Sequence, residues 1–398
     1  MKILVLNVGS TSYRFSLYEM ENEKLLVHGG CEEIGKFSSY FILENSISKN
    51  KINVEIKNHN DAIDYIVSTL ISNKYISNIN QIDAIGFRIV HGGCEFVNPM
   101  FIDDVVLEKI KKLSVLDVAH GENTVRSIEY FKNNLMQNNN MIAVFDTSFH
   151  QSIPKENYIY AIPGEWYEDL GIRKYGFHGI SFQYVLKKYI EITKQSKNKV
   201  NVVMCHLGGG SSICAVKNGL SIDTTMEFSP LTGMIMANRS GSIDPSIIPI
   251  VSKKYNISCD KVVHLLNSVS GYYAIANDNS AKSIIDRSID GDEKCQFLLK
   301  VLEHDFKKNL FAMMSNLESI DSIIMTGTIS SKNKEFRKLF LRNLDYYGIA
   351  LDLDKNDNLF DCVGVISKDS SKIPIYIIPS NEELEIAIEC KKLMNSKV

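Results

Sequence analysis

The chain predicts an α/β fold built as two related halves, and three observations carry that reading. A strand-turn-strand signature occurs twice, as Val5-Leu6-Asn7-Val8-Gly9-Ser10-Thr11-Ser12-Tyr13-Arg14-Phe15 and as Met204-Cys205-His206-Leu207-Gly208-Gly209-Gly210-Ser211-Ser212-Ile213-Cys214, close to half the chain apart. In each copy an apolar strand meets glycines that permit a tight turn, small hydroxyl residues add donors, and an alternating strand leads away, which is a phosphate cradle. Second, β-branched runs alternate with stretches of helical periodicity, the pattern of sheets flanked by helices. Third, 398 residues exceed one core of ordinary size, so two domains are expected, as halves facing a cleft.

The elements follow in order. Strands are expected at Ile3 to Asn7, Ala84 to Val90, Met141 to Phe145, Val200 to His206, Ser322 to Thr326 and Ile373 to Ile378, from their β-branched runs. Helices are expected at Asp61 to Ser72, Glu108 to Leu113, Asn123 to Asn133, Phe182 to Glu191, Glu293 to Leu317 and Glu382 to Met394, from apolar residues three and four apart. The polar run Gln137 to Asn140 reads as a surface turn. The domain change is placed near Gln151 to Pro154, just past a strand end, which divides the chain into 1–150 and 151–382.

Composition narrows the function classes. Hydrophobic residues at 44% and charged residues at 23% are those of a globular protein, and a net charge of −3 gives no reason to expect nucleic acid. No apolar run reaches membrane-spanning length, and Met1-Lys2 enters a strand without the regions of a signal peptide, so a cytoplasmic location is expected. The eight cysteines form no C-x-x-C pair and are expected to be reduced and structural, with no metal cluster.

Four further segments carry chemistry. Phe87-Arg88-Ile89-Val90-His91-Gly92-Gly93 sets a permanent charge in an apolar strand, where it needs an anion: a ligand or an ion pair within the sheet. Phe145-Asp146-Thr147-Ser148-Phe149-His150-Gln151 puts a carboxylate at the carboxyl end of a strand, where ligands bind in open α/β sheets, although Asp146 equally caps a following turn. Tyr175-Gly176-Phe177-His178-Gly179 offers an imidazole between glycines, without the steric cover of a core histidine. Met236-Ala237-Asn238-Arg239-Ser240-Gly241 carries a second arginine in a turn-rich loop. Two arginines, a histidine, a carboxylate and two phosphate hairpins suit phosphoryl transfer, in which guanidinium forks surround the equatorial oxygens. Neither a Walker P-loop nor the protein-kinase pattern occurs.

These segments, with Glu165-Trp166-Tyr167, His206-Leu207-Gly208 and the tail Pro379-Ser380-Asn381-Glu382-Glu383-Leu384, resemble the acetokinase family of the sugar kinase, Hsp70 and actin superfamily almost end to end. The resemblance implies a duplicated actin-like (ribonuclease H-like) fold whose last helix, 383–398, returns to the N-terminal domain. It also implies a homodimer formed through the C-terminal domain, and Mg²⁺-dependent phosphoryl transfer between a nucleotide such as ATP and a short-chain carboxylate. Carried over by position, Arg88 and Arg239 clamp the carboxylate and the developing charge, His178 steadies the transition state and Asp146 orients the substrate. Asn7 contacts the phosphoryl group and, with Glu382, belongs to the metal site. Val90, Ala119, Phe177 and Pro230 line the acid pocket, while Ser10, Ser12, Arg14, His206, Gly208, Gly209, Gly210, Gly327 and Thr328 make the phosphate and nucleotide side.

Departures from the family pattern cluster on the donor side. Gly209 stands in place of an asparagine, Ala281-Lys282-Ser283 in place of Asp-Phe-Arg, and Thr328-Ile329-Ser330-Ser331-Lys332 in place of Gly-Ile-Gly-Glu-Asn. Thr328 is expected to add bulk and to lose the positive φ open to glycine. Near the acid pocket Ala119 replaces a leucine and His120-Gly121-Glu122 replaces His-Asn-Pro, which favours a larger or more polar acid. Three readings stand: an acid kinase using a nucleoside triphosphate, an acid kinase using pyrophosphate and orthophosphate, and a degenerate binding protein.

Overall fold

The computed structural model describes residues 1–116, 121–135 and 140–396; Ala119, His120 and residues 137–139 of the expected surface turn lie outside the described residues. The chain forms two compact units, Met1–Ser148 with Asn381–Val398, and Phe149–Ser380.

The first unit holds strands β1 (Lys2–Val8), β2 (Ser12–Glu19), β3 (Lys24–Glu32), β4 (Tyr40–Glu44), β5 (Lys49–Asn53), β6 (Ala84–Ile89), β7 (Met100–Phe101) and β8 (Met141–Phe145). They form one sheet in the order β5-β4-β3-β2-β1-β6-β8-β7. β1, β2 and β3 are antiparallel neighbours, and β1, β6 and β8 run parallel. The second unit holds β9 (Val202–Leu207), β10 (Ser211–Lys217), β11 (Leu220–Thr224), β12 (Ser322–Thr326), β13 (Gly364–Val365) and β14 (Ile375–Ile377), in the order β11-β10-β9-β12-β14-β13. Here β9, β10 and β11 are antiparallel neighbours, and β9, β12 and β14 run parallel. The series β3-β2-β1-β6-β8 is therefore repeated as β11-β10-β9-β12-β14. That repeat is the duplicated ribonuclease H-like, actin-like fold.

Period-2 alternation gives each sheet two faces, and both are covered. In the first unit Leu4, Leu6, Phe15 and Phe87 form a core with Ala62, Ile63, Ile66 and Leu70 of helix His59–Ser72 and Ile128 and Phe131 of helix Gly121–Asn134. Each leucine, isoleucine or phenylalanine side chain so taken from water contributes about 1.5–3 kcal/mol. Asn58 starts the first of these helices, its side chain accepting from the N–H groups of Asn60 and Asp61. The opposite face takes the last helix, Glu382–Asn395, which buries Ile386, Ala387 and Cys390 against β1 and β6. Gly86 permits that approach, because a Cβ there would lie 2.7 Å from both Cys390 Sγ and Ile386 Cγ2.

In the second unit helix Glu293–Met314 packs Leu298, Leu302, Phe306 and Leu310 on the face of Val203, Cys205 and Leu207, and helix Gly179–Thr193 packs Phe182, Val185 and Leu186 on the face of Val202, Met204 and Cys214. The long helix ends at Met314, before the expected Leu317, with Ser315 as its C-cap and the Asn316 side chain donating to the carbonyl of Ala312 at 3.1 Å. Strand β14 is shorter than the expected Ile373 to Ile378. Strand β5 was absent from the sequence reading because all five of its residues are exposed and it carries no apolar alternation.

Candidate active site

Three parallel strands of the first unit end in polar groups. Leu6 pairs with Phe87 in register and both enter the core, so Asn7 and Arg88, one residue further on, emerge together on the opposite face. Asp146 follows β8 directly and its N–H donates to the Ile89 carbonyl at 2.9 Å. Arg88 Nε donates to both Asp146 carboxylate oxygens at 3.2 Å and Nη2 donates to Oδ2 at 2.7 Å. Its Nη1 lies 3.4 Å from Glu382 Oε2, at the start of the last helix. Asn381 caps that helix by accepting from the Leu384 N–H at 3.0 Å.

In this cluster Asp146 is buried, while Arg88 and Glu382 are partly buried. Burial works against the Arg88 cation, yet Asp146 and Glu382 outweigh it and hold the guanidinium protonated. Burial pushes the Glu382 carboxyl up from its ordinary range, against the pull of Arg88. One guanidinium thus bridges two carboxyl groups brought from distant parts of the chain.

The rest of the first-unit set spreads outward. Ser10 is exposed at the β1-β2 turn and Ser12 is half-buried beside Gly9, where a Cβ would run into Ser12 Oγ. Arg14 is exposed and its Nε donates to Glu32 Oε1 at 2.9 Å. Val90 borders a hollow with His91, Leu113 and Thr124. Ala119 lies outside the described residues.

In the second unit the glycine turn between β9 and β10 gathers the other groups. His178 has φ 58° and ψ 21°, a left-handed conformation that costs a non-glycine residue about 1–2 kcal/mol, and it stands just before helix Gly179–Thr193. Its Nδ1 is 2.9 Å from Ser212 Oγ, and its ring stacks on His206 with centroids 4.1 Å apart and planes 13° apart. His206 Nδ1 is 2.8 Å from Ser181 Oγ. A Cβ on Gly210 would lie 3.1 Å from His178 Nε2 and 3.4 Å from Arg239 Nη1, so imidazole and guanidinium converge at that glycine. Arg239 Nη1 also donates to the Pro230 carbonyl at 3.2 Å. A Cβ on Gly208 would lie 3.5 Å from Thr328 Oγ1 and 3.6 Å from His206 Nε2, whereas one on Gly209 would meet nothing within 4 Å.

In the donor loop the positive φ falls on the residue before Thr328. Thr328 is not among the residues of positive φ; that conformation falls on Gly327, at 82°, where a Cβ would lie 2.5 Å from the Leu207 carbonyl oxygen. Thr328 therefore sits without backbone strain, exposed in the first turn of helix Gly327–Lys332.

Phe177 is 1% exposed and held through its carbonyl, which accepts from His150 Nε2 at 2.9 Å, while His150 Nδ1 is 2.8 Å from Ser221 Oγ. Burial lowers the His150 pKa to about 4, and the ring is neutral. Sequence reasoning assigned no role to His150, Ser181 or Ser212. Their partners are remote in sequence, and the only linear signal was their place inside the quoted motifs or beside them.

An actin-like fold with an arginine held between carboxyl groups and a stacked pair of imidazoles beside a glycine turn suits a phosphotransferase. The family model described as the acetokinase family matches residues 2–388. The acetate kinase of Thermoanaerobacterium thermosaccharolyticum is 39% identical over 400 residues, and that of Halothermothrix orenii 36% identical over 400 residues, each match covering 100% of both chains. Among solved structures, a propionate kinase from Francisella tularensis superposes with a TM-score of 0.92 at 34% identity, over 98% of this chain and 99% of that one. An acetate kinase from Porphyromonas gingivalis gives 0.90 at 29% identity, over 99% of each. The chain belongs to the acetokinase family.

Proposed function

We propose that this protein catalyses reversible, Mg²⁺-dependent phosphoryl transfer between ATP and a short-chain carboxylate such as acetate or a slightly larger acid, giving an acyl phosphate. The observation that carries the proposal is Arg88, held in a buried strand between Asp146 and Glu382. A guanidinium fixed at the carboxyl end of a strand binds carboxylate or phosphate oxygens bidentately. In this reading Arg88 and Arg239 bind the acid and the charge developing on the transferred group, and Asp146 fixes the aim of Arg88 and orients the substrate. His178 hydrogen-bonds the equatorial oxygens, and Asn7 contacts the phosphoryl group. Val90, Ala119, Phe177 and Pro230 limit the size of the acid, each methylene being worth about 1–3 kcal/mol. Ser10, Ser12, Arg14, His206, Gly208, Gly209, Gly210, Gly327 and Thr328 serve the phosphate and nucleotide side.

Glu382, Asp146 and the Asn7 amide are hard oxygen donors and fit a divalent cation. Among the described residues no group of three or more His, Cys, Asp or Glu is placed to hold a metal by itself; Glu382, Asp146 and Asn7 would hold the ion together with water and phosphate oxygens. When bound, it offsets the charge on the phosphate oxygens. Among the described residues no helix is long and apolar enough to cross a membrane. We place the protein in the cytoplasm as a homodimer formed through its C-terminal half. Its helix Ile247–Tyr255 buries none of its residues, which supports that interface.

A second reading, with pyrophosphate and orthophosphate as the donor pair, is favoured by the open space at Gly209. Phosphorus NMR with acetyl phosphate and Mg²⁺ tests both, with ADP and orthophosphate in parallel as acceptors. ATP formation supports the first reading and pyrophosphate the second. Neither product, with acetate and longer acyl phosphates alike, overturns both.

A further inference from the structure

The two stacked imidazoles of the second unit are braced crosswise. His178 and Ser181 belong to one element, the start of helix Gly179–Thr193, while His206 and Ser212 are register partners on β9 and β10. Ser212 of the hairpin reaches His178 Nδ1 at 2.9 Å, and Ser181 of the helix reaches His206 Nδ1 at 2.8 Å. Each ring is thus held by the element that carries the other.

Both serines are fully buried, at 0% exposure, where a hydroxyl is kept only if it is hydrogen-bonded. With both Nδ1 atoms engaged, His178 Nε2 lies against the Gly210 position and His206 Nε2 against the Gly208 position. The rings stack 4.1 Å apart with Arg239 Nη1 beside the same glycine, and in a neutral ring the tautomer decides which nitrogen donates. Phosphoryl oxygens only accept. A neutral imidazole serves them only with its proton on Nε2, which requires an O–H donor at Nδ1.

We propose that Ser181 and Ser212 are positioning residues that donate to His206 and His178, fixing both rings as Nε2–H donors aimed at the glycine turn that takes the transferred phosphate. The proposal rests on the phosphoryl-transfer reading of this site. The test is ¹⁵N-edited NMR of the imidazoles in the full-length protein without substrate, together with the kinetics of Ser181→Ala and Ser212→Ala. The native protein is expected to show Nε2–H tautomers at both histidines, and each alanine variant mixed tautomers at the ring it releases. In each variant kcat is expected to fall about 10- to 100-fold, with KM for the carboxylate changed by less than about threefold. An Nδ1–H tautomer at His178 or His206 in the native protein overturns the proposal, even where the variants fail to fold. Unchanged tautomers and kcat in a folded Ser212→Ala protein overturn it as well. Tautomers lost in the variants of a native protein that turns over no phosphoryl substrate uphold the brace and overturn the phosphotransfer reading instead.

Discussion

Arg239 and His150 show how single side chains divide their duties. Arg239 donates to the Pro230 carbonyl, contacts Met236 Sδ and projects toward the glycine turn. Arg239→Ala is expected to lower kcat about 10²- to 10³-fold or more while the melting temperature stays near that of the native protein; near-normal turnover would reject its place on the transferred group. His150 does the reverse, supporting from below. Its unfolded form takes up a proton near the ordinary 6.5, whereas the buried ring does so only at about 4. The folded state therefore binds fewer protons between these values. The stability contributed by the neutral ring is complete above pH 6.5 and is lost by up to about 3 kcal/mol as the pH falls toward 4. Urea unfolding from pH 7 to pH 4.5 measures that slope, and His150→Gln is expected to flatten it.

The last helix couples stability to the site. It rests on the sheet through Gly86 and starts with Glu382 beside Arg88, so a displacement at one end is felt at the other. Gly86→Ala forces its methyl against Cys390 and Ile386, and overpacking of this kind costs about 1–3 kcal/mol. The expected result is a lower urea midpoint together with a raised Mg²⁺ requirement. Adding Cys390→Ala removes one of the two contacts and recovers part of both. A lower midpoint with an unaltered Mg²⁺ titration would separate Glu382 from the metal. Helix Ile247–Tyr255 poses the opposite case, an element rich in isoleucine with nothing buried.

That helix matters for the whole molecule. Ile250 is 67% exposed, and in a homodimer it is expected to be covered. Light scattering should give twice the 45.0 kDa mass of one chain for the native protein and a single-chain mass for Ile250→Arg. A native single-chain mass would remove the dimer. The fold class was legible because both glycine hairpins keep a strand, glycine and hydroxyl pattern, and that local pattern survives as β1-β2 and β9-β10. Strand β5 was not legible, since its residues are all exposed, four of the five are polar, and the strand is held by pairing with β4.

The sequence by itself determined the α/β alternation, the duplication and the residues that carry charge into apolar strands. These depend on periodicity and on turn chemistry, which are local. Arg88 announced that it needs an anion because a buried cation needs one wherever it lies. Only the tertiary structure decided which anions, and it brings Asp146 and Glu382 to the same guanidinium from far along the chain. It also decided that Gly327 rather than Thr328 bears the positive φ, that His150 supports Phe177, and that two buried serines hold two imidazoles crosswise. Each of these depends on strand register and helix placement, which long-range packing sets and no short stretch of sequence encodes.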